Sequence, residues 1–176
     1  MIIPILITNK IGPSSSAYFY MDMMIISLLS MIPYATTQSL FAEGSTWKMS
    51  LETEIKKAIK LISIFLLPAV LTVIFFGDYV LLLFGKSFSS EGFRFLQIMA
   101  GAQIIGAVNY IGWTILRIKN KNKEIVLINL VNTVLKLGIG YILLSHGLIG
   151  IAIGFITSEV VIATIYIMII KHLKTK

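Results

Sequence analysis

The chain has no cysteine and few charged residues. The absence of Cys excludes a disulfide framework, a thiolate metal site and a cysteine nucleophile. Only 13% of the residues are charged and 57% are hydrophobic, whereas about a quarter of the residues in an average soluble domain are charged. The two histidines, His146 and His172, show no metal-ligand spacing. This composition is typical of an integral membrane protein.

Acidic residues are also scarce, with 8 Asp and Glu against 15 Lys and Arg, which gives a net charge of +7. A basic balance can indicate a nucleic-acid partner, but in a chain this apolar it is more typical of Lys and Arg retained in cytoplasmic loops. We therefore expect no nucleic-acid partner. The mean hydropathy of +0.91 predicts an all-α, polytopic transmembrane helical bundle in the lipid bilayer, forming a single transmembrane domain.

Five apolar runs are long enough to cross a bilayer as helices. The apolar run 1–8 is too short to span and is interpreted as the end of a truncated N-terminal helix. The hydrophilic connection 41–60 repeats apolar residues at helical spacing and is expected to lie along the membrane surface. Gly77 and Asp78 mark the exit of the second span. The five predicted spans are 17–40, 58–76, 95–116, 125–144 and 148–170.

The distribution of basic residues predicts the orientation of these spans. Counted by alternate loops, the two sides carry eleven and three Lys and Arg residues. Because Lys and Arg are retained on the cytoplasmic side, the loops 41–60 and 117–124 and the C-terminus are predicted to be cytoplasmic. The chain is therefore expected to be a multi-pass protein of the cell membrane.

The fourth span carries a polar stripe. At 100° per residue, its polar and small residues fall within about 100° of one another, and the remaining surface is Ile, Leu and Val. A Lys near the centre of a span costs roughly 3 kcal/mol on insertion scales, so Lys136 should face a water-filled cavity or a partner on another helix. The stripe consists of Asn129, Asn132, Thr133, Lys136 and Gly140.

The third span has a comparable face of polar, small and aromatic residues, namely Gln103, Gly106, Asn109, Tyr110 and Trp113. Two interpretations of such residues stay open. Asn and Thr in a span often form hydrogen bonds between helices, and Trp113 lies near the membrane boundary, where aromatic belts are expected.

Two carboxylates lie within the predicted spans. Glu159 is a candidate counter-charge for Lys136, because the last two spans form a hairpin and the two residues lie at comparable depth. The helical face argues against this pairing, since Glu159 projects opposite Gly150 and Gly154, whose small-xxx-small spacing permits close helix contact. The alternative is that Glu159 and Asp22 are separate cavity carboxylates.

Three segments carry a family resemblance: IPYATTQSLFAEGS at 32–45, FGDYVLLLFGKSF at 76–88 and HGLIGIAIG at 146–154. In this order and spacing, the chain resembles the C-terminal lobe of polysaccharide or oligosaccharide-lipid flippases, in the superfamily that also holds MATE drug exporters. Members have twelve to fourteen spans in two lobes around a cavity that opens to either side alternately. The resemblance implies that the N-terminal lobe is absent here, as in a fragment, a truncated frame or a half-length paralogue, and that this lobe or a partner chain completes the cavity.

The resemblance implies transport of a lipid-linked saccharide, with the headgroup in the cavity and the lipid tail in the bilayer. This is binding rather than bond breaking, so neither enzymatic activity nor a cofactor or metal is expected. A cavity Lys136 would offset desolvation of a substrate phosphate. Hydroxyls of the sugar would bind to Asn129, Asn132 and Thr133. The polar face of the third span would complete the site. Gln103 and Asn109 would form hydrogen bonds there, and Tyr110 and Trp113 would offer flat surfaces to sugar rings.

Two further roles follow from the resemblance. Glu159 or Asp22 would bind the H⁺ or Na⁺ to which family members are thought to couple transport. Pro33 and Pro68 each remove a backbone hydrogen bond within a span and would act as hinges, with static kinks as the alternative.

Three other functions are compatible with the sequence. A drug or cation antiporter of the same superfamily would have the same fold. A non-transporting membrane partner, or a remnant that docks onto a full-length relative, would need no cavity chemistry. A membrane enzyme acting on polyprenyl lipids would need carboxylates or His clustered at one interface, and the sequence shows no such cluster.

Overall fold

The structure is a computed structural model that describes residues 2–44 and 51–174. Over these residues the chain is all-α, which confirms the predicted fold class at this level. No strand is present in the described ranges. The helices are α1 Ile2–Lys10, α2 Pro13–Gly44, α3 Leu51–Leu82, α4 Lys86–Ile118, α5 Asn122–Ile142 and α6 Gly147–Lys174, with a 3-10 turn at Leu143–His146.

Glycine and proline set two of the helix starts. Gly12 has a φ of +133°, which an L side chain rarely adopts, and Pro13 follows in the first turn of α2, where its missing N–H lacks an intrahelical partner in any case. Gly147, with a φ of +67°, reverses the chain between the 3-10 turn and α6. Both breaks lie in the intervals 9–16 and 145–147, between the predicted apolar segments.

Helix α3 is longer than the predicted span 58–76. It runs without interruption over Leu51–Leu82, so residues 51–60 belong to the same helix as the predicted span and do not form a separate surface segment. Acidic residues in the first turn, Glu52 and Glu54, favour a helix start there. Buried residues recur every four positions through the polar start of α3 and into its apolar part, namely Glu54, Ala58, Ile62, Leu66 and Val70.

Helix α4 is the centre of the bundle. It packs against α2, α3 and α6, whereas α5 packs mainly against α6. Phe95 and Leu96 of α4 are fully buried, together with Leu66 of α3. Leu96 also approaches Gly77, which lies inside α3 although the sequence predicted the end of a span there. In a bilayer such contacts stabilise the bundle through close packing, because lipid tails are as apolar as the side chains.

The outer surface of the bundle is strongly apolar. Leu83 is 84% exposed, Ile142 72%, Val126 69% and Phe75 67%, exposures that favour contact with lipid rather than water. Within the described residues, four helical stretches are long enough and apolar enough to cross a membrane: Pro13–Glu43, Leu51–Leu82, Lys86–Ile118 and Asn122–His172.

The fourth stretch folds back on itself as a hairpin. It contains α5, the 3-10 turn and α6, and Gly154 packs against Gly140 across the hairpin. The five predicted spans therefore correspond to five long helices but to four continuous apolar stretches, because only the 3-10 turn and Gly147 separate the last two helices. The nine residues of α1 are too few to span a bilayer.

Candidate functional site

A polar cavity opens between α2, α4, α5 and α6. Its volume is about 740 Å³, within the range of pockets that bind small molecules. The cavity brings together polar side chains that the sequence placed on three separate helices. Eight of the predicted site residues line it: Gln103, Asn109, Tyr110, Trp113, Asn129, Asn132, Lys136 and Glu159.

An ion pair with a third, amide partner lies in this cavity. Lys136 Nζ donates a hydrogen bond to Glu159 Oε1 at 2.6 Å, and the two side chains are only 26% and 18% exposed. Asn109 Nδ2 donates to the backbone carbonyl of Glu159 at 3.1 Å and also to its Oε2. The Glu159 carboxylate is thus held from both α4 and α5. Because a lone charge within a membrane span is costly, each member of the pair offsets the other.

The pairing contradicts the argument from helical faces. Gly154 does pack on α5, where a Cβ atom would lie 2.9 Å from the Gly140 backbone nitrogen, and Glu159 lies about 140° around α6 from Gly154. That argument assumed a single contact face on α6. Helix α6 also packs on α4, so Glu159 points into the cavity between α4 and α5, where the long stem of Lys136 reaches it.

The other predicted polar residues divide into two groups. Gln103 Oε1 accepts a hydrogen bond from Ser30 at 2.8 Å, which links α4 to α2. Asn132 lines the cavity, and its Oδ1 is buried with no hydrogen-bond partner among the described residues. Thr133 is not part of the lining, and its hydroxyl donates to the Asn129 carbonyl at 2.9 Å. Asn132 therefore borders the cavity with its Oδ1 shielded from solvent, whereas Thr133 is bound to its own helix.

Aromatic rings and a cation lie toward one end of the cavity. Tyr34 and Tyr110 meet edge to face, with ring centroids 6.4 Å apart. The Arg117 guanidinium lies 4.5 Å from the Trp113 ring and 4.1 Å from the Phe41 ring. In the described part of the chain, Arg117 has no carboxylate partner. Trp113 is thus part of the cavity wall, and Arg117 is an unneutralised cation beside it.

Asp22 does not share the cavity with Glu159. It is fully buried between α2 and α4, where a Cβ atom on Gly92 would lie 2.9 Å from its Oδ2. Neither carboxylate oxygen has a hydrogen-bond partner within residues 2–44 and 51–174. The alternative of two cavity carboxylates is therefore wrong for Asp22, because position 22 faces Gly92 and not the cavity.

The two prolines lie inside continuous helices, Pro33 in α2 and Pro68 in α3. Each is followed one turn later by a Thr whose hydroxyl donates to the proline carbonyl, from Thr37 at 2.8 Å and from Thr72 at 2.9 Å. A hydroxyl bound one turn back favours a local bend. The hinge role of these residues stays a prediction.

The contribution of α2 to the cavity was missed from the sequence. Ser27, Ser30 and Tyr34 line the cavity, and their spacing places them on one helical face. This polar stripe was a usable signal. Phe155 and Tyr166 of α6 also line the cavity, but no polar pattern marks them in the sequence.

A second charged cluster lies at the polar ends of α2 and α3, outside the apolar spans. Lys57 Nζ is 2.9 Å from Glu43 Oε2 and 3.7 Å from Glu54 Oε2. Hydrogen bonding to Glu43, together with burial, raises the pKa of Glu54, which is 3% exposed. Hydrogen bonding to Lys57 lowers the pKa of Glu43. The two carboxylates share one cation, so Glu54 keeps its proton more readily than an isolated Glu.

The cavity presents charged, amide and aromatic side chains to a bound molecule. Among the described residues, no group of three or more His, Asp or Glu side chains could hold a metal ion. The apolar helices and the polar cavity are compatible with a multi-pass membrane protein that has an internal binding space. Comparison of the chain with protein-family models, curated proteins and solved structures finds no match.

Proposed function

We propose that this chain is a transport lobe in the cell membrane that admits the headgroup of a lipid-linked saccharide to the cavity. The supporting observation is the convergence of charged and amide groups from α4, α5 and α6 inside a bundle with an apolar surface. Polar and ionisable residues within membrane spans commonly mark substrate pathways. The resemblance of three segments to oligosaccharide-lipid flippases suggests the same class of substrate.

Groups in the cavity, together with Arg117 beside its Trp113 wall, meet the needs of a phosphorylated saccharide. Arg117 has a planar guanidinium suited to bidentate phosphate binding and lacks a carboxylate partner among the described residues. Lys136 is bound to Glu159, so an incoming phosphate competes with that carboxylate for the ammonium group. The side-chain amide of Asn132, which lines the cavity, hydrogen-bonds a sugar hydroxyl, and Tyr110 offers a flat surface to a sugar ring.

In this proposal a second wall closes the cavity. Asn129 lines the cavity and is exposed, so the polar surface continues to the outside of the described bundle. A second lobe or a partner chain covers this side, and alternating access moves the two walls relative to each other. The basic end of the bundle, with the C-terminal end of α6, lies in the cytoplasm.

Equilibrium binding tests the proposal. A fluorescent short-prenyl diphosphate disaccharide is titrated with the purified chain in detergent, and its anisotropy is measured. We expect saturable binding that Asn132→Leu weakens about fivefold, the value of one hydrogen bond of about 1 kcal/mol. Thr133→Val is the matched control, since it removes a neighbouring polar group outside the cavity lining. The absence of saturable binding, or equal effects of the two variants, contradicts the proposal.

The charge requirement is tested separately. Arg117→Gln should weaken binding of the diphosphate probe but not of a probe with an uncharged linker between prenyl chain and sugar. Lys119→Gln removes a charge two residues further along, beyond the end of α4, and should leave both affinities unchanged. Equal losses for the two probes would mean that Arg117 supports the fold of the cavity and does not bind phosphate.

An organic-cation exporter of the same superfamily is the second candidate. The Glu159 carboxylate shares the cavity with the rings of Tyr34, Tyr110 and Trp113, and this combination is suited to an organic cation. Tetraphenylphosphonium in the same titration distinguishes the two functions. Binding of this cation that is lost in Glu159→Gln, with no binding of the disaccharide, favours the exporter. Binding of neither probe favours a non-transporting partner.

A further inference from the structure

An apolar groove runs along the outside of the bundle between α3, α4 and α6. Its volume is about 440 Å³, which is enough for one small ligand. Its lining is almost entirely aliphatic, with Ser63 and Tyr166 as exceptions along its length and Lys171 at one end. Representative lining residues are Ile59, Leu67, Ile104, Val108, Ile111 and Ile167.

The groove has the length of one leaflet of a bilayer. It extends from Ile55 to Leu67 on α3, which is about 18 Å at 1.5 Å per residue. Half of the hydrocarbon core of a bilayer is about 15 Å thick. The groove begins at the end of the bundle where α3 starts and α6 ends, so it follows a lipid chain from the headgroup level to near the bilayer midplane.

The headgroup end of the groove is basic. Lys171 lines the groove there, and Lys60 lies one turn before Ser63 on the same face of α3. The charge at the groove mouth is therefore complementary to an anionic headgroup.

Tyr166 closes the groove toward the interior. Its ring packs against Gly112, where a Cβ atom would lie 2.5 Å from Tyr166 Cγ, so only glycine permits this approach of α6 to α4. Tyr166 lines both the groove and the polar cavity. The groove is thus a separate site with its own back wall.

We propose that this groove binds one acyl chain of an anionic phospholipid from the leaflet at the basic end, with the phosphate against Lys60 and Lys171. The bilayer supplies the apolar chain, the length matches one leaflet, and the two lysines select the headgroup. The existence of this lipid site is independent of the function proposed for the polar cavity.

Native mass spectrometry of the full chain released from detergent tests this site. Phosphatidylglycerol and phosphatidylcholine with identical acyl chains are added in parallel titrations. We expect one tightly retained phosphatidylglycerol, with an affinity on the order of tenfold above that of phosphatidylcholine. Equal retention of the two lipids overturns the proposal.

Two matched pairs of variants locate the site. Lys60→Gln with Lys171→Gln should abolish the preference for phosphatidylglycerol, whereas Lys119→Gln with Lys123→Gln removes equal charge at the same end and should keep it. Val108→Trp fills the groove and should remove the retained lipid, whereas Val134→Trp places the same bulk on the outer face of α5, away from both spaces. Equal losses within either pair, or retention by Val108→Trp, overturn the assignment.

Discussion

Glu159 accepts hydrogen bonds from two neighbouring helices, and this determines what Lys136 is able to do. Lys136 enters the cavity already bound to a carboxylate, and Asn109 holds the second carboxylate oxygen. The three side chains form one polar network inside the bundle. Such a network is costly when one member is lost, because the remaining charge is left without a partner in a poorly solvated site.

The first prediction concerns this ion pair. Lys136→Met should lower the free energy of unfolding by about 3 kcal/mol, the lower end of the range for breaking a buried pair. Glu159→Gln should also lower the free energy of unfolding. The double variant should lose less free energy of unfolding than the two single variants lose together. Thermal unfolding of all four proteins in detergent gives the coupling free energy. Additive effects would show that the two charges do not stabilise each other.

The second prediction concerns pH. Because the pKa of Glu54 is raised, its stabilising contribution is present below the ordinary Glu pKa of 4.5 and is lost as the pH rises through the raised value. Glu43, whose pKa is lowered, contributes in the opposite sense, and its contribution is lost as the pH falls.

Glu54→Gln keeps a neutral side chain at position 54 at every pH. Relative to the wild-type chain, its Tm should therefore rise as the pH increases above the ordinary Glu pKa of 4.5. Glu52→Gln is the control, because Glu52 is exposed and lies half a turn away on the same helix. A Tm difference for Glu54→Gln that does not change with pH would exclude a raised pKa for Glu54.

At the scale of single elements, the α5–α6 hairpin depends on glycine. A Cβ atom on Gly150 would overlap the carbonyl oxygen of Leu143, and Gly154 meets the backbone of α5. Gly138 lies within α5 with nothing within 4 Å of the position of its missing Cβ. The same substitution is therefore expected to have opposite effects at these positions.

The third prediction compares two alanine substitutions. Gly150→Ala should lower the free energy of unfolding by about 1–3 kcal/mol through overpacking, and Gly138→Ala should raise it by about 0.5–1 kcal/mol through helix propensity. Thermal unfolding in detergent measures both. If Gly150→Ala is as stable as Gly138→Ala, the hairpin packs less closely than described.

The existence of the long helices follows from the sequence, and their ends follow only in part. Gly12, Pro13 and Gly147 are local signals, so the breaks that they cause were predictable. The start of α3 was not, because the connection 41–60 carries charges that suggested a surface segment. The apolar residues of this connection nevertheless recur at the same helical spacing as those of the following span. A single uninterrupted helix therefore buries one face along both the connection and the span.

At the scale of the whole molecule, the fourth prediction concerns orientation. The chain has no native Cys, so a thiol reagent labels only a cysteine that is introduced, and its labelling reports the side of the membrane on which that cysteine lies. Asn122→Cys lies at the basic end of the bundle and Ser90→Cys at the other end, and both positions are exposed. In intact cells an impermeant maleimide should label position 90 and reach position 122 only after permeabilisation. The reverse pattern would invert the proposed topology.

The residues that line the cavity were largely predictable from the sequence, but the hydrogen bonds between them were not. Polar residues on the third and fourth spans had to face away from lipid, so their convergence followed from the cost of exposing them. The Lys136–Glu159 hydrogen bond depends on how α6 packs between α4 and α5. A helical wheel of one helix does not show this packing. Asp22 faces Gly92 for the same reason, since the packing of α2 on α4 decides its surroundings.

Tyr166 is the common wall of the polar cavity and the apolar groove. An occupant on one side that shifts this ring alters the free energy of binding on the other side, and thermodynamic linkage makes the effect reciprocal. If the proposed lipid shifts the ring, lipid composition becomes an effector of the cavity. A membrane rich in the preferred lipid and a membrane poor in it would give the same chain two different affinities for the same solute.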